Sequence, residues 1–405
     1  MPNEISVQIK SQEVAAQFSW AVPLAQAYIG MLLNSYEQPP SLLPAGPYPT
    51  ADSVYSLLEV PGKYKLGTHP TGPPRKNNIA IAQSAIDQGV PIPILIVVGT
   101  SKNKTGTAPE ENHVDLNELL MLKQIQRISE KVSTKYSPGI QTTLYIEDLT
   151  NQWLYSHAAS QMGVALNNES YIRSLKKLIS DAKSFITTPI RPITESELLA
   201  QAGINKTDFF PLCESLEQKF KRYFIESFPL IEKSQLNKSQ DGWDQFISST
   251  LSHTQSYKDL VEVGWQSGVD PSMYKYYFDR FSNSNKNIEN PQEYIAAYFA
   301  SIHAKRILGL MRQASQKSIK LAFVNNPPGT PPHLNSAIKL TAYPTRGAGS
   351  SSITSPPWGG EATIGVSKSN RQVSYSPSGF QDSVHSQAQV IINGVEVPIS
   401  IAIRE

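Results

Sequence analysis

Cysteine is nearly absent from this chain of 405 residues. Cys213 stands alone, which excludes an internal disulfide framework and fits a reducing compartment. Its neighbours Phe209, Phe210, Leu212 and Leu216 favour a packed thiol over a nucleophile. Charge of one sign is missing as well. The 36 Lys and Arg nearly balance the 34 Asp and Glu, for a net charge of +2, and no block of like charges forms a basic arm, so nucleic acid is not an expected partner. No apolar run approaches the roughly 20 residues of a membrane span, and the stretch from Met1 to Ser6 lacks the basic-then-apolar pattern of a signal sequence. A soluble, cytoplasmic protein with no membrane partner is the expectation. The most hydrophobic helical candidate, Trp20 to Leu33, contains Pro23 and Gln26 and reads as a core-facing helix.

Signatures of familiar catalysis are also scarce. The seven histidines are scattered, and none has a second His or Cys at ligand spacing, so no metal site is expected. No Gly-x-Ser-x-Gly elbow occurs. The loop from Gly99 to Gly106 is neither a Walker A sequence nor a Gly-x-Gly-x-x-Gly dinucleotide turn, so nucleotide hydrolysis and hydride transfer both lose support.

What is present is a strong βαβ pattern from Ile92 to Asp148. The apolar run from Pro93 to Val98 is of the kind expected of a parallel strand covered on both faces. The following loop carries Lys102, Asn103 and Lys104 between glycines that let backbone approach an anion. Met121, Ile125, Ile128 and Val132 then repeat at helical spacing, Ser137-Pro138-Gly139 stops the helix, and Thr142 to Ile146 forms a second strand. Glu147 and Asp148 close it at the carboxyl end, where open parallel sheets bind their ligands. The cationic loop and the acid pair are therefore expected to face one crevice.

The length allows about two or three lobes. Residues 1–75 read as an N-terminal helix and a proline- and glycine-rich wrapping segment, with a short strand-like stretch from Ser53 to Val60. Residues 76–170 alternate helix and strand and form the α/β core with the anion-binding loop. From 171 to 317 strand signals almost vanish. Helical faces are marked by Tyr171, Leu175, Leu178 and Ala182, by Cys213, Leu216, Phe220 and Phe224, by Trp243, Phe246, Ile247 and Leu251, and by Tyr294, Ala297, Tyr298, Ile302 and Ile307. Residues 318–405 bring strands back to complete the core, and Asn393-Gly394 is a hairpin signal between Gln389–Ile392 and Val395–Ile399. The fold class is α/β, with a mostly parallel sheet, a large helical segment and a C-terminal β-rich part.

Several polar residues fall near the expected strand ends: Lys102, Lys104, Glu147, Asp148, Lys339, Tyr343 and Arg346. The lysines of the loop are either a solvated surface or a point-charge trap for phosphate or carboxylate. Glu147-Asp148 either cap the next helix or handle a substrate amine and its proton. The Gly/Ser/Pro-rich stretch from Arg346 to Gly360 embeds Trp358, the mark of a lid or binding wall. Aromatics from Met273 to Phe278 read as helical core, with an aromatic substrate pocket as the alternative.

The loop Thr100-Ser101-Lys102-Asn103, the turn Tyr136-Ser137-Pro138-Gly139 and the strand end Glu147-Asp148 resemble the isonitrile synthases of the pyoverdine/dityrosine biosynthesis type. Those proteins carry a Lys-Ser-Pro-Asn-like loop, a Tyr-Pro-Pro-Gly-like turn and a strand ending Ser-Asp-Gly in this order. The stretches Gly264–Val269, Ile338–Pro344 and Pro356–Gly359 are similar to later motifs of that family, so the resemblance runs over about residues 90 to 365. It implies a Rossmann-like core and condensation of an amino acid's amine with a pentulose phosphate such as ribulose 5-phosphate, with no metal or nicotinamide cofactor. By the same resemblance Lys102 and Lys339 are anion contacts, Glu147 or Asp148 attends the amine, and Trp358 walls the site. Lys339 stands where the family has arginine, and Tyr343 and Gly359 stand where it has histidines, which removes two groups that titrate near neutrality. Catalytic candidates are therefore Glu147, Asp148 and Tyr343, and substrate-binding candidates Lys102, Asn103, Lys104, Lys339, Arg346 and Trp358. Two rivals keep the fold: a catalytically silent binding or effector protein, and a transferase using another phosphorylated donor.

Overall fold

Alternation of side chains along a few apolar strands organises this protein around one sheet with a separate core on each face. The computed structural model describes residues 5–10, 14–34, 50–59, 70–100, 113–162, 168–233, 240–265, 291–310, 317–323, 337–342, 357, 360–377, 379–380 and 383–404. Among these the chain runs through β1 (Val7–Ile9), α1 (Val22–Asn34), α2 (Ala51–Leu58), α3 (Gly72–Gln88), β2 (Ile92–Val98), α4 (Leu116–Ser133), β3 (Ile140–Ile146), α5 (Asp148–Met162), α6 (Asn168–Asp181), β4 (Ile190–Thr194) and α7 (Glu195–Gln201). It continues with α8 (Phe209–Lys233), α9 (Gln240–Ser249), α10 (Gln255–Glu262), α11 (Pro291–Ile307), β5 (Ile319–Ala322), β6 (Ile338–Lys339), β7 (Thr363–Ser367), β8 (Val373–Ser376), β9 (Val384–Ile392) and β10 (Val395–Arg404).

The central sheet has the order β4-β3-β2-β5-β6, and every pairing in it is parallel. Because side chains alternate at every residue, β2 sends Ile92, Ile94, Ile96 and Val98 into one core and Leu95 into the other. The first core also holds Leu144, Ile319, Leu321 and Ile338, with helices α1, α2 and α4. The second holds Tyr145 and Ile193 beneath α5, α8, α10 and α11. This is the α/β arrangement expected from the sequence.

A second sheet, β1-β9-β10-β7-β8, comes from the strand-rich C-terminal part with β1 added at one edge. Its β9–β10 hairpin turns at Asn393-Gly394, both at positive φ, as the local sequence predicts. Its inner residues Val390, Ile392, Val397 and Ile399 join the first core. A buried polar node fastens this sheet to α4. The Asp115 carboxylate caps α4 and accepts the Ala362 N–H at 2.9 Å, while the Asn117 amide donates to the Gly360 and Pro377 carbonyls and accepts from the Tyr375 hydroxyl.

Two local expectations change. The stretch expected as a strand from Ser53 to Val60 is helix as far as Leu58: Thr50 caps α2, and Val54, Tyr55, Leu57 and Leu58 bury at helical spacing, while Val60 lies outside the described residues. The sequence from 171 to 317 also contains β4, which the charge of Arg191 and the ring of Pro192 disguise. Proline is accommodated there because β4 is an edge strand.

Candidate functional site

Strands β3 and β4 run parallel and both break into helices at the same level, so two helix N-termini lie side by side at the carboxyl edge of the sheet. Each helix is capped by a carboxylate belonging to the other. Asp148, in the first turn of α5, accepts the backbone N–H of Ser196 at 3.2 Å and the Ser196 hydroxyl. Glu195, in the first turn of α7, accepts the Thr150 N–H at 2.8 Å and the Thr150 hydroxyl at 2.9 Å. Unpaired N–H groups and the positive ends of the helix dipoles both favour carboxylates at this place.

Two further side chains complete the cluster. Lys305 reaches in from α11 and places its ammonium 2.6 Å from Glu147 and 3.5 Å from Glu195. The Tyr145 hydroxyl rises from β3 and donates to Glu195 Oε1 at 2.9 Å. Glu195 is 0 % exposed and Lys305 2 %, so the charges interact in a medium of low polarizability. Two carboxylates thus share one ammonium, with the Asp148 carboxyl a third acid close by.

That imbalance sets the protonation states. Burial above all, joined by Glu147 and Asp148, pushes the Glu195 carboxyl up to about 7 against the pull of the Lys305 ammonium and the Thr150 N–H. Burial pulls Lys305 down, but Glu147 and Glu195 outweigh this and hold the ammonium above its usual range. Asp148 is raised by burial in spite of its hydrogen bonds from Ser196. Tyr145 is raised far up by burial and by Glu195, so it remains a donor. The arrangement therefore contains an acid that gains and loses its proton near neutrality, held between a phenol donor and a fixed cation. That is the chemical capability required for general acid–base work.

The residues expected from sequence are distributed unevenly. Glu147 and Asp148 stand in the cluster, but their side chains diverge, one to Lys305 and the other to Ser196. Asp148 serves the helix-start role and Glu147 the ion-pair role. Lys339 lies on β6, three strand spacings from β3 or about 14 Å away, and contacts neither acid. Lys102, Asn103, Lys104, Tyr343, Arg346 and Trp358 lie outside the described residues, as does the Met273–Phe278 stretch. One end of the lysine loop is nevertheless tied to the cluster. Thr100, the last described residue before the lysine loop, donates to Asn168 at 2.6 Å, and the Asn168 amide donates to the Asp148 carbonyl at 3.0 Å. The Asn117 and Asp115 node joins the far end of that loop to Gly360 and Ala362, which follow the Trp358 stretch.

Sequence reasoning missed Glu195, Lys305, Tyr145, Thr150 and Ser196. Two signals for them exist. Thr194-x-x-Glu197 is a capping box, which marks a helix start at Glu195. Lys305 follows Ala297 and Ser301 at four-residue spacing, a charge on an otherwise small and buried helix stripe. Cys213 is buried in the second core, as expected of a packed thiol, and burial together with the nearby Glu195 charge pushes it up.

Among the described residues no group of three or more His, Cys, Asp or Glu is arranged to hold a metal ion. The described depressions lie at the other end of the sheet. Cavities of about 540 and 430 Å³ both touch Gln141, which precedes Glu147 by six residues, about 20 Å along the strand. No helix of the described residues is long and apolar enough to cross a membrane.

No family model matches the chain, and no curated protein matches it. Among solved structures it is similar to the PvcA protein from Pseudomonas aeruginosa, with 12% sequence identity and a TM-score of 0.46 over 88% of this chain and 99% of that one.

Proposed function

We propose that this protein is an isonitrile-synthase-like enzyme that condenses the amine of an amino acid with a pentulose phosphate. The order of the sequence motifs supports that substrate pair. The observation that carries the chemistry is Glu195, a buried acid pushed up to about 7 between Tyr145 and Lys305. It provides the near-neutral proton transfer that the family's histidines would otherwise supply at Tyr343 and Gly359. In this reading the amine attacks the sugar carbonyl and forms a carbinolamine. Because Glu195 is sealed from solvent, its proton reaches the departing hydroxyl by relay. Lys305 hands a proton to Glu147, the partly exposed acid passes it to the hydroxyl, and Glu195 restores the ammonium. Water leaves, the imine forms, and the nitrogen's proton returns along the same path. Glu147, ion-paired with Lys305, receives the substrate amine, while Lys102, Asn103, Lys104, Lys339 and Arg346 hold the phosphate and Trp358 walls the site.

Incubation of the purified protein with ribulose 5-phosphate and each common amino acid, followed by mass spectrometry, tests the reading. Joint consumption of the sugar phosphate and one amino acid supports it, and its loss in Glu195→Gln ties the chemistry to the cluster. No consumption with any amino acid overturns it.

A second reading rests on the burial of the cluster. With Glu195 and Lys305 sealed from solvent, the network also serves as a staple between α5, α7 and α11 in a protein that binds a phosphorylated metabolite without turnover. Calorimetry that shows ribulose 5-phosphate binding, with no product from any amino acid, selects this alternative.

A further inference from the structure

We propose that Lys320 and Lys339 together form a binding pair for a phosphate group on the sheet face that carries the acid cluster. The inference deepens the reading above, in which Lys339 alone contacts the anion; Lys320 is the new element. Strand β5 sends Ile319 and Leu321 into the first core, so Lys320 and Ala322 project to the opposite face. Strand β6 does the same, with Ile338 in the first core and Lys339 opposite. Parallel pairing sets Lys339 beside Ala322 and Lys320 beside Leu95, whose side chain lies in the second core with Tyr145. Lys320 and Lys339 are therefore diagonal neighbours on one face, about 7–8 Å apart at the backbone. Ala322, directly beside Lys339, adds only a methyl group to that face, and two four-carbon stems from these points are long enough to reach one anion.

Both lysines are half-buried, and among the described residues neither has a hydrogen bond or ion pair. Burial pulls both ammonium groups down, and no charge among the described residues offsets it. An unpaired lysine on an edge strand is a familiar guard against edge-to-edge association, and that explains Lys339. It does not explain Lys320, because β5 is paired on both sides by β2 and β6. Two like charges brought under partial cover without a counterion are unfavourable until an anion joins them. A tetrahedral phosphate offers separate oxygens to two point charges, the geometry that lysine suits.

The test is calorimetry on the full chain with inorganic phosphate, ribulose 5-phosphate, ribulose and acetate, repeated for Lys320→Met and Lys339→Met. Phosphate and ribulose 5-phosphate should bind, ribulose and acetate should bind at least tenfold more weakly, and each substitution should weaken phosphate at least tenfold. Variants that bind phosphate like the unaltered chain, or acetate binding equal to phosphate, overturn the proposal. Lysine modification provides a check independent of folding of the variants. Phosphate should protect Lys320 and Lys339 of the unaltered protein from reductive methylation read by peptide mass spectrometry, and equal labelling with and without phosphate overturns the pairing. The two readings fail separately. Phosphate binding lost in the variants, with no amino acid consumed by the unaltered chain, sinks the condensation and keeps the anion site. Turnover with an unchanged KM for the sugar phosphate in both variants does the reverse.

Discussion

Replacing Glu195 by glutamine should invert its effect on stability as pH rises. In the folded protein the Glu195 carboxyl is pushed up to about 7, against 4.5 for an ordinary glutamate. Between those values the folded chain holds a proton that the unfolded chain has released, so stability falls with rising pH. The contribution is fully present below pH 4.5 and is lost as pH passes through 7. At about 1.4 kcal/mol per pH unit, the unaltered chain loses about 3 kcal/mol from this residue over that window. Glutamine does not titrate. It keeps an acceptor for the Tyr145 and Thr150 hydroxyls and loses the one that faces the Thr150 N–H, which costs about 1 kcal/mol. Glu195→Gln should therefore be less stable than the unaltered chain by about 1 kcal/mol below pH 5 and more stable by about 2 kcal/mol above pH 8. His303, whose group burial also shifts, is common to both proteins and cancels in the difference. Urea unfolding followed by tryptophan fluorescence between pH 5 and 8 measures this directly. Trp153 and Trp265 lie in the second core beside the cluster and report its loss. Parallel stability curves for the two proteins would refute the argument, because they would mean that Glu195 is ionised in the folded state throughout. At pH 6 the same substitution should also slow turnover by about 10²–10⁴-fold, the usual effect of losing a general acid.

Lys305→Met leaves Glu147 and Glu195 facing one another without their cation and should lower stability by about 3–5 kcal/mol at pH 8, with a smaller loss at pH 5 where Glu195 is neutral. An unchanged urea midpoint at pH 8 would show that water already solvates the pair. Cys213 should resist a thiol-specific disulfide reagent in the folded protein at pH 8 and react with one equivalent after unfolding, because burial both shields the thiol and keeps it protonated. Rapid labelling without unfolding would contradict the packing of α8 against the sheet.

Much of the fold was legible because its determinants are local. The uninterrupted apolar run of β2, the helical repeat of α4 and the Asn393-Gly394 turn each specify an element from adjacent residues, and each element forms. The misread pieces have local causes too. Ser53 to Val60 carries β-favouring residues, yet the Thr50 cap and a buried helical face decide for α2. Strand β4 was concealed by Arg191 and Pro192, and with it the junction at which Glu195 stands. The acid pair at the end of β3 was readable, because a strand that ends in two acids places them at the ligand-binding edge whatever surrounds them.

What the sequence determined by itself is the apolar central strands, their alternating faces, and the position of Glu147 and Asp148 at the carboxyl end of a parallel sheet. It also set lysines opposite the apolar residues of β5 and β6, since period-two alternation needs only the residues in order. The tertiary structure alone decided which groups meet those acids. Lys305 pairs with Glu147 across 158 positions, and Glu195 caps a helix whose Thr150 lies 45 positions earlier. The proton affinity of Glu195 belongs to no stretch of sequence, because it arises from burial and from charges brought together by three different helices and a strand. A carboxyl that is an ordinary glutamate in the unfolded chain becomes a near-neutral acid only where the packed core excludes water and leaves two carboxylates to share one cation beside a third acid.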